Sequence, residues 1–501
     1  MADFITALQV LATPACLLLC LGGCLMGIVL GAIPGLSGSL AITILLPVTF
    51  TMDSNVAIAM LISIWVGSCS GGFIGAVLLG IPGTPSNVAT CYDGFAMTKK
   101  GEVTRALCLG TVSNFIGTVP SIIVAMIACP IISSFAVKMG PWEYFGLGLL
   151  AIAMVVGVSK GQLLKGFMSA SIGLLLTQVG YSPVSSTPRF MFGSNQLASG
   201  FNMLSFVVGV FAGSMILMDY AHTKEDDDKT FKGTIGKFYL PVKDFAKNIV
   251  NTVRSFLIGL GIGFLPGMGS GLSNVVAYAA AKNSSKTPEE FGEGCPDGII
   301  APEVANNASI GGAIIPMISL GIPGDTTTAL LLAGLTIHGI EAGPLLQKYQ
   351  PVFTNMVFIA ALLGAVCALI IEIAGIRVFP QLLKAPYHYL YPAILVLCIA
   401  GVYSNTHSMF AVYCALGFTA LGVWMSYAGL PMTPCVLAYV LGGILESNFR
   451  KAYSYAKGDW TTFFTRPVSC IFILVAIGSI VWPLVSDKLK AKKAARTGDK
   501  A

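Results

Sequence analysis

Apolar runs of about 20 residues recur along the chain, at Val10 to Ile33, Ile122 to Val137, Val352 to Ile371 and Pro467 to Val485. A helix of about that length crosses the hydrocarbon core of a bilayer, so the sequence predicts an all-α polytopic membrane protein. Charge agrees: 10% of residues are charged, against roughly 25% in soluble proteins, and no segment is long and polar enough for a separate soluble domain. The opening stretch MADFITALQV has no Lys or Arg ahead of the first run. It therefore lacks the basic region of a secretory signal, and that run is expected to stay in the membrane. The basic block KLKAKKAAR beside the last run reads as a positive-inside flank rather than a nucleic-acid patch. Cys16, Cys20 and Cys24 are spaced four apart; with no His or carboxylate nearby they read as small apolar packing residues, as free Cys often is, not as a metal site.

Two echoes link distant parts of the chain. GAIPGLSGS from Gly31 resembles GFLPGMGSG from Gly263, and LGIPGTPSN at 79–87 returns as LGIPGDTTT at 320–328. The offsets, 232 and 241, differ by nine, and the polar stretch KNSSKTPEEFGEGCPDG, Lys282 to Gly298, is where the second half can carry extra residues. Self-similarity of this kind marks duplicated architecture. The division expected is a first membrane repeat over 1–221, a cytoplasmic linker over 222–250, a second repeat over 251–486 and a basic cytoplasmic tail over 487–501. Lys99, Lys100 and Arg105 follow the first GIPG, whereas Lys348 alone follows the second. Cytoplasmic loops are enriched in Lys and Arg, so the two loops are expected on opposite sides and the repeats inverted. The charge map conflicts at one place: Arg450, Lys451, Lys457 and Arg466 precede the last apolar run, while Lys488, Lys490, Lys492, Lys493 and Arg496 follow it. The tail is taken as cytoplasmic, and ESNFRKAYSYAKGDW as an interfacial segment or a basic surface for a partner.

Inside hydrocarbon every backbone N–H and C=O needs a partner, so a broken helix survives only where it is buried in protein or lines a polar cavity. Proline stops a helix by lacking an N–H, and glycine permits the reversal. A helix that restarts beyond the break turns its N–H groups and positive dipole end to the gap, which suits a carboxylate. The side chains at the four breaks fit that use: Ser37 and Ser39; Thr84, Ser86 and Asn87; Ser270, Ser273 and Asn274; and Asp325, Thr326, Thr327 and Thr328. None is Lys or Arg, so a bound anion is expected to be held by dipoles, hydroxyls and co-bound cations, with Asp325 and carbonyls as oxygen ligands for sodium. The segment APEVANNAS adds Glu303, Asn306, Asn307 and Ser309 ahead of the fourth break. Intramembrane polar residues are costly and default to functional candidates; Asn306, Asn307 and Ser309 are expected in an ion site, and Glu303 either there or as an interfacial helix-start residue after Pro302. Glu143, Glu372 and Arg377 read as interfacial or paired charges.

An enzyme is not expected. The four histidines, His222, His338, His388 and His407, form no HExxH spacing, no Walker loop is present, and GMGSG at 267–271 has neither a strand before it nor a soluble domain around it.

Taken together, GAIPGLSGSLAITILLP, LLGIPGTPSNVATCYDGFAMTKKG, GFLPGMGSGLSNVVAY, APEVANNASIGGAIIPMISLGIPGDTTTALLLAGLTIHGIEAGP and PMTPCVLAYVLGGILESNFRKA resemble the TctA family, the large membrane subunits of bacterial tripartite tricarboxylate transporters, over nearly the whole chain. The resemblance implies a secondary transporter of the inner membrane that imports a carboxylate without ATP. It implies sodium as coupling ion, with the proton as alternative, and two partners: a small membrane subunit (TctB-like) and a periplasmic solute-binding protein (TctC-like). An elevator mechanism is expected by analogy with other binding-protein-dependent systems, with re-entrant Pro-Gly hairpins in the moving part. The family's glycine signatures fall on Gly35, Gly83, Gly267, with Gly269 beside it, and Gly324; its polar positions fall on Thr84, Ser86, Asn306, Asn307, Asp325 and Thr326. SGSL after the first break and TPSN after the second depart from some tricarboxylate-type members, so the resemblance does not name citrate. The alternative is a non-transporting membrane scaffold in which the breaks only let helices pack.

Overall fold

A computed structural model describes residues 2–33, 36–157, 163–182, 185–222, 234–382 and 387–481. Gly35, residues 223–233 of the expected linker and the basic tail lie outside the described residues. The chain divides into two compact units, one from Met1–Val137 with Met203–Val423, the other from Lys138–Asn202 with Trp424–Ala501. The first unit begins with α1 (Ala2–Leu11), α2 (Pro14–Ala32), α3 (Gly38–Thr49), α4 (Ser54–Leu79), α5 (Thr90–Lys99) and α6 (Val103–Ala136). The second takes α7 (Pro141–Gly157), α8 (Leu163–Leu176) and a minimal antiparallel pair, β1 (Gly180–Tyr181) on β2 (Pro188–Arg189). The chain then returns to the first unit with α9 (Met203–Val207), a π turn over Val208–Gly213, α10 (Ser214–His222), α11 (Val242–Lys247), α12 (Ile249–Phe264), α13 (Gly269–Ser284) and α14 (Asp297–Leu320). Next come α15 (Thr326–Ile337), α16 (Pro344–Tyr349), α17 (Pro351–Gly375), α18 (Phe379–Leu382), α19 (Tyr387–Thr406) and α20 (Met409–Tyr427). The second unit closes with α21 (Met432–Tyr455), α22 (Thr462–Thr465) and an apolar helix over Pro467–Val481.

Among the described residues α2, α4, α6, α17 and α20 are long and apolar enough to cross a membrane. Their outward faces are apolar too: Leu18 on α2 and Ile127, Ile131 and Phe135 on α6 stand exposed, which suits lipid rather than water. This is an all-α, multi-pass membrane architecture, as the apolar runs predict.

Glycine sets how closely the helices of the first unit approach. An added Cβ at Gly31 or Gly71 would come within 2.5 Å of the carbonyl oxygens of Ser68 and Ile28, and at Gly27 or Gly67 it would overlap backbone atoms of Ile64 or Cys24. α2 and α4 therefore touch backbone to backbone, the use membranes make of small residues. Gly259, Gly263 and Gly312 do the same between α12 and α14. α14 also lies on α6, through Gly117 and Gly311, and α4 lies on α17, through Gly364.

The polar connection from α13 to α14 is stitched to α5. Asp93, fully buried, accepts the main-chain N–H of Gly292 (2.9 Å), Gly294 (2.8 Å) and Cys295 (2.7 Å) on one carboxylate oxygen and the Tyr278 hydroxyl (2.9 Å) on the other. Lys100 Nζ adds a bond to the Glu293 carbonyl at 2.5 Å. Each donor left without its acceptor costs about 1–3 kcal/mol if it stays buried. Asp93→Ala is therefore expected to free the loop, raising amide exchange at 292–295 by at least tenfold. Unchanged exchange there would show the carboxylate to be dispensable.

In the second unit α21 packs on α7 and α8. Glu446 of α21 bonds Arg189 at 2.6 Å and Arg450 at 2.6 Å, and Gln178 shares Arg189 at 2.7 Å. Glu143, expected to be interfacial or paired, is paired: Arg466 lies 3.1 Å from it and over the Trp142 ring at 3.9 Å. Arg450 and Arg466, two of the four cations that confuse the charge map, are thus held by carboxylates of their own unit. ESNFRKAYSYAKGDW opens as the last turns of α21, and Phe449, Trp460, Phe145 and Phe463 cluster there.

Candidate functional site

Each break lies in the first unit, where one helix stops and another begins. α4 and α14 end alike, on Gly80 (φ 69°, ψ 16°) and Gly321 (φ 71°, ψ 24°), the left-handed cap that glycine adopts at no steric cost. Beyond Gly80, the Gly83 N–H returns to the Gly72 carbonyl at 3.2 Å, and a 3-10 turn over Pro85–Asn87 leads into α5. Beyond Gly321, Asp325 caps α15: its carboxylate accepts the N–H and hydroxyl of Thr328, each at 2.8 Å, and the Thr328 hydroxyl lies 2.8 Å from the Asp325 N–H. At the first break Ser37 caps α3 through the Leu40 N–H at 3.2 Å. At the third, α13 starts without a side-chain cap.

The four breaks meet. Ser39 of α3 and Thr327 of α15 share a hydrogen bond of 3.0 Å. The Gly267 N–H donates to the Gly324 carbonyl at 2.6 Å, and a Cβ on Gly269 would stand 2.6 Å from that of Asp325. The Ala89 N–H, just past the second break, donates to Asn274 of α13 at 2.9 Å. A Cβ on Gly83 would overlap the Gly31 carbonyl, which joins the second break to the end of α2.

A carboxylate stands behind the second break. Glu303, on α14 and fully buried, accepts from Asn87 Nδ2 at 2.9 and 3.1 Å and from the Thr90 hydroxyl. Thr84 bonds Ser86 at 2.7 Å and Asn87 Oδ1 at 2.5 Å, so the TPSN side chains form one network ending on Glu303. Glu303 therefore lies inside α14 rather than at its start, and no cation pairs with it among the described residues. One turn along, Asn306 donates to the Cys69 carbonyl at 3.2 Å, while its own Oδ1 is buried without a donor.

The other expected ligands are already engaged. Asn307 bridges α4 and α6: its Oδ1 accepts from Ser70 (3.1 Å) and Thr118 (3.2 Å) and its Nδ2 donates to Asn114 (2.7 Å) and the Glu303 carbonyl (3.1 Å). Ser309 donates to the Asn306 carbonyl at 2.6 Å. Half of Asp325 serves its cap. Ser270 and Thr326 sit at the first turns of α13 and α15. Thr90, Asn114 and Thr118 carry no motif in the sequence; only the packing of α5 and α6 on α14 brings them in.

The site is a meeting of broken helices around buried hydroxyls, amides and the carboxylates of Glu303 and Asp325, an arrangement membranes tolerate around a polar solute.

The chain is similar to known sequences over most of its length. Residues 17–437 match the family described as the tripartite tricarboxylate transporter TctA family. An uncharacterised 52.8 kDa protein of Agrobacterium vitis, from the TAR-I ttuC' 3' region, is 32% identical over 473 residues, 94% of each chain. A second uncharacterised protein of that organism, from the TAR-II ttuC' 3' region, is 32% identical over 224 residues, 45% of this chain and 93% of its own. No solved structure matches. With a family match over most of its length and a relative aligned almost end to end, the chain belongs to the TctA family of tripartite tricarboxylate transporters, a transporter family and not an enzyme family.

Proposed function

We propose that the chain is the large subunit of a secondary transporter that imports an organic carboxylate across the bacterial inner membrane by sodium symport. It acts with a small membrane subunit and a periplasmic solute-binding protein. The observation that carries this is the meeting of all four breaks beside Glu303 and the donorless Asn306 Oδ1. A buried carboxylate oxygen and a buried amide oxygen, both without a cation, make a hard-oxygen environment for a small cation. The substrate anion is then assigned to the first turns of α13 and α3, whose caps carry no charge. The start of α15 is less suited, because Asp325 already occupies its dipole end.

Two repeats, inverted in the membrane, are part of the proposal. Matching left-handed glycines at 80 and 321, a new helix after every break, and glycine seams between α2 and α4 and between α12 and α14 support it. So do the connections: four residues join α3 to α4 and twelve join α13 to α14, the longer one where extra residues were expected. In an elevator cycle the part carrying the breaks would move.

The test is uptake of radiolabelled mono-, di- and tricarboxylates into proteoliposomes holding this chain with both partners, with and without an inward sodium gradient. Sodium-driven accumulation of one of them is expected. Thr84→Ala, which removes the link between Ser86 and Asn87, is expected to lower that uptake by about tenfold, the equivalent of 1.4 kcal/mol. Asp325→Asn keeps the cap and isolates the effect of charge at the fourth break. Failure of every carboxylate to accumulate with both partners present would favour a scaffold.

A further inference from the structure

A second carboxylate is buried on the far side of the site. Glu372, three residues before the end of α17, is 1% exposed, and its Oε1 has no hydrogen-bond partner. It lines a closed seam between α4, α6 and α17 with Ser70, Thr111, Asn114 and Thr118, the remaining walls being apolar. The seam is too tight to admit a water molecule. No Lys, Arg or His lines it, and Glu372 forms no ion pair among the described residues, so the pairing expected as one of its two roles is not found there.

The polar groups around it carry no charge: Thr111 and Asn114 are near enough to hydrogen-bond Glu372. Asn114 also donates from Nδ2 to the Ser70 carbonyl (3.0 Å) and accepts on Oδ1 from Asn307 (2.7 Å); Ser70 and Thr118 both donate to Asn307. The titratable groups whose charge reaches Glu372 are Glu303 on α14 and Cys24 on α2. The elements packed on α17 also bring Cys69 on α4, Arg105, Cys108 and Cys129 on α6, Cys16 and Cys20 on α2, Asp3 on α1, and Lys348 and Tyr349 on α16. None of these lines the seam. An ionised carboxylate left without a cation or water in such a place costs several kcal/mol. A proton removes that cost and needs no added room, whereas a sodium ion needs several oxygens that are already bonded.

We infer that Glu372 is the binding site of a coupling proton. It is a neutral carboxylic acid while the α4–α6–α17 seam is closed. When the seam parts, the acid O–H breaks, the proton passes to water as hydronium and the carboxylate is left hydrated; it takes up a proton again before the seam closes. Asn114 and Asn307 tie the seam to the Glu303 main chain. An amide pair of this kind passes a shift in position rather than the proton, so a change at Glu372 is felt at the breaks. The coupling rests on the transport function proposed above; the protonation does not.

Two measurements test it. Infrared spectra of wild type minus Glu372→Gln in lipid at neutral pH are expected to show one protonated-carboxyl band that shifts in D₂O, and Glu372→Asp is expected to move the band. In proteoliposomes an inward proton gradient, with sodium equal on both sides, is expected to raise uptake of the transported carboxylate several-fold in wild type and not at all in Glu372→Gln. No such band would overturn the protonated state. A gradient response kept by Glu372→Gln would overturn the coupling. Sodium-driven uptake without any response to the proton gradient would reject this inference and leave the proposed function standing; no uptake under either gradient would reject both the function and the coupling, with the band still deciding the protonation. Gln is isosteric with the neutral acid, so failure of Glu372→Gln to fold also counts against a neutral Glu372, and Glu372→Asp then supplies the difference spectrum.

Discussion

Glu303→Gln is expected to lower carboxylate uptake by at least tenfold and to abolish its sodium dependence while the protein still reaches the membrane. Both carboxylate oxygens accept from Asn87, and one also accepts from Thr90. Gln replaces one of those acceptors with an NH₂ that faces the Asn87 NH₂. Hydrogen bonds to charged groups contribute about 1.5–3 kcal/mol each, and the charge itself is lost to any cation beside Asn306. The two losses act on the same place, so the transport defect should exceed the defect in stability. The measurement pairs uptake with thermal unfolding in detergent. Wild-type uptake with intact sodium dependence would remove Glu303 from the ion site.

The second large effect is steric. In Gly83→Ala the new methyl would overlap the Gly31 carbonyl oxygen and approach the Gly72 carbonyl to 3.0 Å. Both obstacles are backbone, and the Gly72 carbonyl already accepts the Gly83 N–H. Overpacking of this kind costs about 1–3 kcal/mol or more, and here it pushes the second break away from the end of α2. Gly83→Ala should therefore unfold several degrees below wild type and transport poorly even when folded. Gly22→Ala on α2 is the control: nothing lies within 4 Å of its Cβ, and Ala is a better helix former than Gly by about 1 kcal/mol. Equal stability of the two variants would mean that the breaks are not held at backbone contact.

Much of the scaffold was legible because it is written locally. A Pro-Gly step ends a helix whatever surrounds it, and the two left-handed glycines fall where LGIPG ends α4 and α14. The sharing of labour between neighbours was not legible. Asn306 and Asn307 look equivalent in sequence, but successive helical residues point about 100° apart. One therefore meets the α4 backbone at Cys69 and keeps an oxygen without a donor, while the other reaches Ser70 of α4 as well as Asn114 and Thr118 of α6 and is fully bonded. Asn87 and Glu303 are 216 residues apart, and no local pattern pairs them. Asp325 looked like an open ligand because capping and coordination ask for the same side chain; its bonds to Thr328 separate them. Asp93 stood out in no pattern, because its partners are backbone N–H groups of a loop nearly 200 positions away.

The crossed seating of the helices bears on how the protein is made. α4 leans on α17 and α14 leans on α6, so each half of the first unit finishes its packing only against a helix of the other. As the chain leaves the ribosome, α4 is complete long before α17 exists. Until then the α4 face that meets Gly364, at Ser63 and Val66, has no protein neighbour. A nascent chain of this design waits in the bilayer in a half-zipped state that invites chaperones and proteases. Two separately translated halves, each unable to persist alone, should find one another when produced in the same cell.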